Sequence, residues 1–297
     1  MTFRGSKEHT FEECLFECDH KCLPFPILMA ITQNTMEDEH TPEMVSVTSL
    51  NGCLREKYLS SQNDYYIEPY KMWYTTRGTL MHSILELPNP GKIENPNFKK
   101  MIEKRLNPER YIVEKRFYID FDGYKLSGKI DFFDKELSRL SDFKTIGDKG
   151  IHFLFSNDAV GDAMAKREHR RQCNVYRLLM EKNGIPVKEI EIIYVTMMTV
   201  LTTGTKYYKQ EGKNKVWAEY NVDQVELEDI DWLYNWAKTR TITLSKAMQE
   251  NIMPEPLEDI EQKGWRCGDK SKGEGYCPVR FFCSYWQEKW GETKRRS

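Results

Sequence analysis

The sequence predicts an α/β fold, a mixed central sheet flanked by helices with a cysteine-closed C-terminus. Three observations predict it. Residues Tyr111–Thr145 read as successive short strands joined by tight turns, with Asp122-Gly123 as a hairpin signal. A β-branched alternating run, Glu189–Met198, lies between two long helical patterns, Gly161–Gly184 and Ile230–Asn251. The tail after residue 264 carries Cys267, Cys277 and Cys283 among glycines and prolines, a composition that buries little apolar surface and needs a cross-link.

The chain has 297 residues, enough for one large domain or two small ones. Residues 1–44 read as a cysteine-rich N-terminal extension and 45–297 as the main domain, with the polar, acidic stretch Thr32–Pro42 as a linker. In the extension, Cys14, Cys18, His20 and Cys22 crowd together. Thiolate and imidazole are the usual zinc ligands, so this is a candidate structural Zn2+ site; the other reading is free cysteines in a partly ordered arm.

Val45–Tyr58 reads as a helix capped by Thr48 or Ser49, with Cys53 on it. Trp73–Leu87 reads as a second helix after Gly78, its apolar side made by Leu80, Met81, Ile84 and Leu85. His82 lies on the other side, and Arg77 stands at the helix start, where a phosphate is well received. Residues 88–110 form a Pro- and Asn-rich connection ending in a basic helical piece. Tyr111–Ile119 and Tyr124–Phe133 then read as a hairpin, with Glu114 on the partner strand of Asp131. Leu137–Thr145 adds a third strand and Glu189–Met198 a fourth. Lys206–Val222 supplies one or two more.

Charged residues make up 30% of the chain and hydrophobic ones 39%, and the net charge is −2. That excludes a bulk basic footprint, though carboxylates can mask a local basic groove. No apolar run is long enough to span a bilayer, and the N-terminus lacks an apolar leader, so the expected location is the cytoplasm. Eight cysteines in a reducing compartment point to metal or iron–sulfur ligation rather than disulfides.

The chemistry centres on Gly128–Thr145. Asp131 ends one strand, and Asp142 and Lys144 lie two apart on the next. They therefore share a face, with Phe143 on the opposite one, expected in the core. Two carboxylates on neighbouring strands suit a divalent ion bound through oxygen. A lysine beside them suits a water and a phosphate, the requirements of metal-assisted phosphodiester hydrolysis. Acid-x-Lys triplets also start at Asp19, Glu211, Glu261 and Glu292, and the plain alternative is a solvated ion pair on an exposed strand. Gln172 and Tyr176 are i,i+4 neighbours on a helix. Arg167, Arg170 and Arg171 just before them suit contacts to a DNA backbone. Cys173 reads as packing. Cys53 with the three terminal cysteines makes four thiolates, which fit zinc or an iron–sulfur cluster.

The order of these motifs resembles the RecB-like branch of the PD-(D/E)XK nucleases. The similarity is to the iron–sulfur exonucleases of the AddB nuclease domain and CRISPR-associated adaptation types. It covers roughly residues 45–290: Cys53, Gly78 to His82, Gly128 to Asp131, Asp142 to Lys144, Gln172 to Tyr176, then Cys267, Cys277 and Cys283. The family has C-x2-C-x5-C at its end, where this chain has C-x9-C-x5-C. The resemblance implies a restriction-endonuclease-like fold and a DNA exonuclease acting on single strands or ends in recombination, repair or CRISPR adaptation. Its partners would then be recombination, helicase or adaptation proteins. It implies Mg2+ or Mn2+ held by His82, Asp131, Asp142 and the backbone of Phe143, with Lys144 catalytic and Gln172 and Tyr176 in support. It also implies a 4Fe–4S cluster on Cys53, Cys267, Cys277 and Cys283. A non-catalytic DNA-binding or assembly subunit that keeps the fold is the alternative, and a zinc-bearing regulatory protein is a third reading.

Overall fold

The computed structural model describes residues 2–4, 8–10, 12–18, 24–36, 44–67, 69–85, 94–105, 108–146, 159–196, 208–211, 214–217, 220–256, 267 and 277–290. The chain divides into two compact units. One comprises Met1–Thr79, Asp120–Leu126 and Trp236–Ser297, the other Leu80–Ile119 and Ser127–Asn235.

The second unit is built on a five-stranded mixed sheet. Its strands are β5 (Tyr111–Val113), β8 (Phe132–Asp134), β9 (Arg139–Ile146), β10 (Glu189–Thr196) and β13 (Tyr220–Val225), in the spatial order β13-β10-β9-β8-β5. β9 and β10 run parallel, and the remaining pairs are antiparallel. The registers line Ile112, Phe133, Leu140, Ile190 and Val225 into one cross-strand row, and all five are buried. Such a row fixes register, because a slip by one residue would turn it to the other face.

A long helix, Ala159–Lys182, covers this face. In chain order α1 is Phe25–Met36, α2 Val47–Asn51, α3 Leu54–Gln62, α4 Pro69–Leu85 and α5 Pro96–Arg105, which makes the long helix α6. Val175, Leu178, Leu179 and Met180 on it are fully buried. It stops at Gly184, whose φ of +80° suits a residue without Cβ. The Ile185 N–H reaches back to Met180 O at 3.0 Å, closing the last turn.

The expected strand Tyr111–Ile119 is two strands. β5 ends at Val113, and β6 (Arg116–Phe121) begins after Glu114, whose φ is +51°. The returning strand breaks at the same level, with β7 (Tyr124–Lys129) ending before Ile130-Asp131 and β8 beginning after. The Glu114 N–H donates to Asp131 O and the Ile130 N–H to Lys115 O, each at 3.0 Å, so the ribbon bends without losing its pairing. Below the bend its strands belong to the five-stranded sheet. Above it, β7 and β6 join β3 (Met44–Ser46) in the order β3-β7-β6. Asp122-Gly123 makes the expected turn, both residues at positive φ. Lys206–Val222 holds parts of three strands: β11 (Tyr208–Glu211), β12 (Asn214–Trp217) and the start of β13.

In the first unit, the N-terminal stretch has its own elements. β1 (Thr2–Arg4) pairs antiparallel with β2 (Glu8–Thr10) and parallel with β4 (Tyr66–Ile67). Thr10 and Glu13 cap each other reciprocally, at 2.7 and 3.1 Å. Cys14 and Leu15 pack with Leu28 and Ile31 of α1 in a small core touched by Met72 and Trp73 of α4. Part of the expected linker, Thr32–Met36, is helical within α1.

The expected helix over Val45–Tyr58 is two helices. Ser46 rather than Thr48 or Ser49 caps α2, accepting from the Ser49 N–H at 3.2 Å. Gly52 ends α2 in an extended conformation, and Cys53 stands at the N-cap of α3 instead of inside a helix. Two arginines brace this break. Arg240, on α7 (Ile230–Glu250), donates to Leu50 O at 2.8 Å and to Gly52 O at 2.6 Å. Arg55, buried, donates to Pro254 O at 2.6 Å.

Replacing Arg240 with Met orphans two main-chain carbonyls that a charged donor now satisfies. The expected loss is about 2–3 kcal/mol, read as a lower urea midpoint with an unchanged slope.

Candidate active site

The acidic pair stands one step along from the apolar row. Phe132 of β8 faces Ser141 of β9, so the chain just before β8 brings Asp131 alongside Asp142. Asp142 in turn faces Ile192 of β10, and Lys144 faces Tyr194. The sequence reading has Phe143 pointing into the core. The structure reverses this: Asp142, with 1% of its surface exposed, lies on the helix-covered face, while Phe143 is half-buried on the other. Parity along β9 is the reason, since Leu140 occupies the buried row and Asp142 and Lys144 follow it at intervals of two.

The Lys144 ammonium lies 2.7 Å from Asp142 Oδ2, an ion contact without a well-directed hydrogen bond. Asp131 Oδ2 accepts the Phe143 N–H at 2.7 Å. Burial pushes the Asp131 carboxyl up to about 7, and the Asp142 charge adds to this. Lys144 and the Phe143 N–H pull the other way. Burial works against the charge on Lys144, yet the surrounding groups, Asp142 foremost, hold its ammonium well above the usual lysine range. Glu114, whose charge also raises Asp131, is itself bridged to Lys129.

α6 supplies the roof. Gln172 Nε2 donates to Tyr176 Oη at 2.8 Å, and Tyr176 is buried. Burial, then the Asp142 charge, raises the Tyr176 phenol above the ordinary tyrosine range. Two further residues share this helical face: the sequence reads Cys173 as packing and gives His169 no role, and the fold brings both toward the acids. His169, Gln172, Cys173 and Tyr176 follow i, i+3, i+4, i+7 spacing, which is the signal that could have found them. The Cys173 thiol is fully buried and faces Asp142; burial raises it well above the usual range, and Asp142 adds to this. His169 Nδ1 is 2.9 Å from the phenolic oxygen of Tyr194, and burial with the nearby Lys144 charge pushes its ring down to about 4.

The other candidates are placed as follows. Arg170 is ion-paired to Asp223 of β13 at 3.3 Å, and Arg171 to Glu228 at 2.7 Å, with its guanidinium 4.4 Å from the Trp232 ring centre. Arg167 is exposed on α6; Arg77 is half-buried in the interior of α4 and not at a helix start, because that helix begins at Pro69, ahead of Gly78. His82 is within α4, but its side chain lies outside the described residues, as do His20 and Cys22. Cys14 is buried in the small core and Cys18 is partly exposed.

In the first unit Cys277 and Cys283 are buried, and the main-chain oxygen of Cys267 accepts the Trp286 indole N–H at 2.7 Å. Burial raises the Cys277 thiol far above the usual range, with the charges of Glu56, Cys267 and Cys53 adding to it. Three of the four expected sulfur ligands thus share one electrostatic neighbourhood. Among the described residues, no three His, Cys, Asp or Glu side chains are gathered closely enough to hold a metal ion. Nor is any helix among them long and apolar enough to cross a membrane.

No protein-family model matches the chain. The merozoite surface protein P92 of Plasmodium falciparum (isolate 3D7) is 28% identical over 35% of this chain, a stretch that is 13% of that protein's own length. Among solved structures, a protein designated SSO0001 gives a TM-score of 0.46 at 14% identity, over 88% of this chain and 95% of its own. A phage-related exonuclease from Haemophilus somnus 129PT gives 0.32 at 16% identity, over 56% of this chain and 72% of its own. Likeness this slight leaves the chemistry to the residues themselves.

The titrations have opposite signs. Asp131 has an ordinary value of 3.8 and one of about 7 in the fold. The folded chain therefore holds the extra proton between those values, and the stability this provides is full below about 4 and lost as pH rises through about 7. His169, lowered from 6.5 to about 4, stabilises above 6.5 and loses that contribution as pH falls toward 4. In urea unfolding of metal-free protein, Asp131→Asn should exceed wild type in stability at about pH 8, and this advantage should shrink steadily toward about pH 4. A flat difference would contradict it.

Proposed function

We propose that this chain is a metal-dependent nuclease, a DNA exonuclease acting on single strands or ends. One observation carries the reading: a single ammonium and two carboxylates converge from adjacent strands in a buried place, which leaves the acids one positive charge short. Two buried like charges do not both ionise without a compensating cation. The raised Asp131 is what such a shortage produces, and an oxygen-only donor pair fits Mg2+ or Mn2+. Asp131, Asp142 and the Phe143 carbonyl would hold the ion, with His82 as the further ligand. When bound, the ion lowers the pKa of a coordinated water and polarises a phosphoryl oxygen.

The chain's own residues do the rest. Lys144 stays protonated, orients the attacking water and offsets charge on the phosphate. The Phe143 N–H holds the Asp131 carboxylate in place. Gln172 and Tyr176 form a hydrogen-bonded roof over Asp142 and Lys144. Arg77 and Arg167 are the proposed contacts to the DNA backbone; Arg170 and Arg171, expected to join them, are instead held in ion pairs with Asp223 and Glu228. Cys53, Cys267, Cys277 and Cys283 would hold a 4Fe–4S cluster, with zinc as the alternative; the thiolate donors suit either, and the four would have to draw closer together than they stand here to bind it. A structural Zn2+ on Cys14, Cys18, His20 and Cys22 belongs to the same proposal.

With Mn2+ and end-labelled single-stranded DNA, wild type should release nucleotides, and chelation should stop it. Lys144→Ala and Asp131→Asn should each lower the rate at least about a hundredfold. Variants as active as wild type would end the proposal. DNA binding without cleavage by wild type would favour the assembly-subunit reading.

Protein purified without oxygen should be brown and carry about four irons per chain, and Cys277→Ser should bleach it. A colourless protein with one zinc per chain would replace the cluster with a zinc tetrathiolate.

A further inference from the structure

Between α6 and β10 lies a polar pair that the proposed reaction does not use. Tyr194 is the in-register neighbour of Lys144, and its phenol is buried with only 1% of the residue exposed. Its oxygen is 2.9 Å from His169 Nδ1, and the two rings are 5.7 Å apart. Among the described residues the phenol has no other hydrogen-bond partner. A buried O–H left without an acceptor is costly, so the phenol must donate and Nδ1 must accept. That fixes the neutral ring as the Nε2–H tautomer. The Nε2–H in turn has no partner among the described residues, although the ring is near enough to feel the charges of Lys144 and Asp142. A directed donor is therefore held ready on the same helical face as Gln172 and Tyr176.

The geometry points to His169 as a further member of this site: its Nε2–H, oriented by Tyr194, is the neutral donor that receives a non-bridging oxygen of the scissile phosphodiester. The inference rests on the nuclease reading. Lys144 supplies charge to the phosphate, and His169 supplies direction without adding a second charge to a confined site. A preorganised donor of this kind acts mainly on the transition state, where the phosphoryl oxygens gain charge.

Two near-isosteric amides separate this role from mere packing. The side-chain nitrogen of Gln can occupy the place of the Nε2–H donor, and the side-chain oxygen of Asn, an acceptor, the place of Nδ1. His169→Gln keeps the donor and gives up the Tyr194 contact; His169→Asn does the reverse. The assay uses the full chain, Mn2+ and end-labelled single-stranded DNA, with thermal melts and Mn2+ affinity measured alongside. Expected are a kcat within about threefold of wild type for His169→Gln, and a loss of about a hundredfold for His169→Asn and His169→Ala. KM and Mn2+ affinity should be unchanged in all three, with His169→Asn melting closest to wild type. Activity following melting, with Asn above Gln, would overturn the inference and make His169 an anchor for Tyr194. An active wild type with Asn and Gln variants equal would overturn it too, leaving the nuclease reading intact. A wild type inert toward DNA would remove both.

Discussion

One buried charge imbalance organises the second unit. Asp131 and Asp142 lie side by side under α6 with one ammonium, from Lys144, between them and neutrality. Such a group is unfavourable in a folded interior unless it is paired, and breaking a pair there is worse than never forming it. The structure tolerates it because rigid elements enclose it. β9 and β10 run beneath, α6 runs above, and the five-residue apolar row one step away fixes the register of every strand involved. The apolar row supplies the stability that the polar row spends, which is the usual relation between a core and a site built against it.

The bend at Glu114 and Asp131 is the second constraint. A continuous hairpin would carry Asp131 through the sheet as one more alternating residue. The break, stitched by two main-chain hydrogen bonds and marked by the positive φ of Glu114, lets the ribbon leave one sheet for another at the level where the carboxylate is needed. Bulges of this sort re-aim a side chain while keeping strand pairing. The Glu114–Lys129 bridge beside it keeps a third acid from standing uncompensated next to Asp131.

The two arginines on the far side of α6 show how one helix does two jobs. Arg170 and Arg171 tie it to Asp223 and Glu228, and Asn174 joins the same edge by accepting the Glu228 N–H at 2.9 Å. The opposite face, His169 through Tyr176, looks onto the acids. A helix anchored by charge along one edge is held at a fixed rotation, and that rotation decides which side chains meet the site.

The sequence by itself determined the parts that rest on local rules. The Asp122-Gly123 turn, the alternation in Glu189–Thr196, the long helix ending at Gly184 and the two-residue spacing of Asp142 and Lys144 all follow from backbone preference and period. It also separated the Asp142 triplet from the other acid-x-Lys triplets, because a hairpin brings Asp131 back beside it. Which face of β9 is buried was decided by tertiary structure alone. Alternation states only that Asp142 and Phe143 differ, and the parity was set by Leu140 joining a row contributed by four other strands. The same holds for the split at Gly52-Cys53, braced by an arginine 188 residues away from Gly52, and for the strand break at Glu114. His169, Cys173 and Tyr194 entered the site for the same reason: packing a helix across parallel strands joins residues that no local period connects.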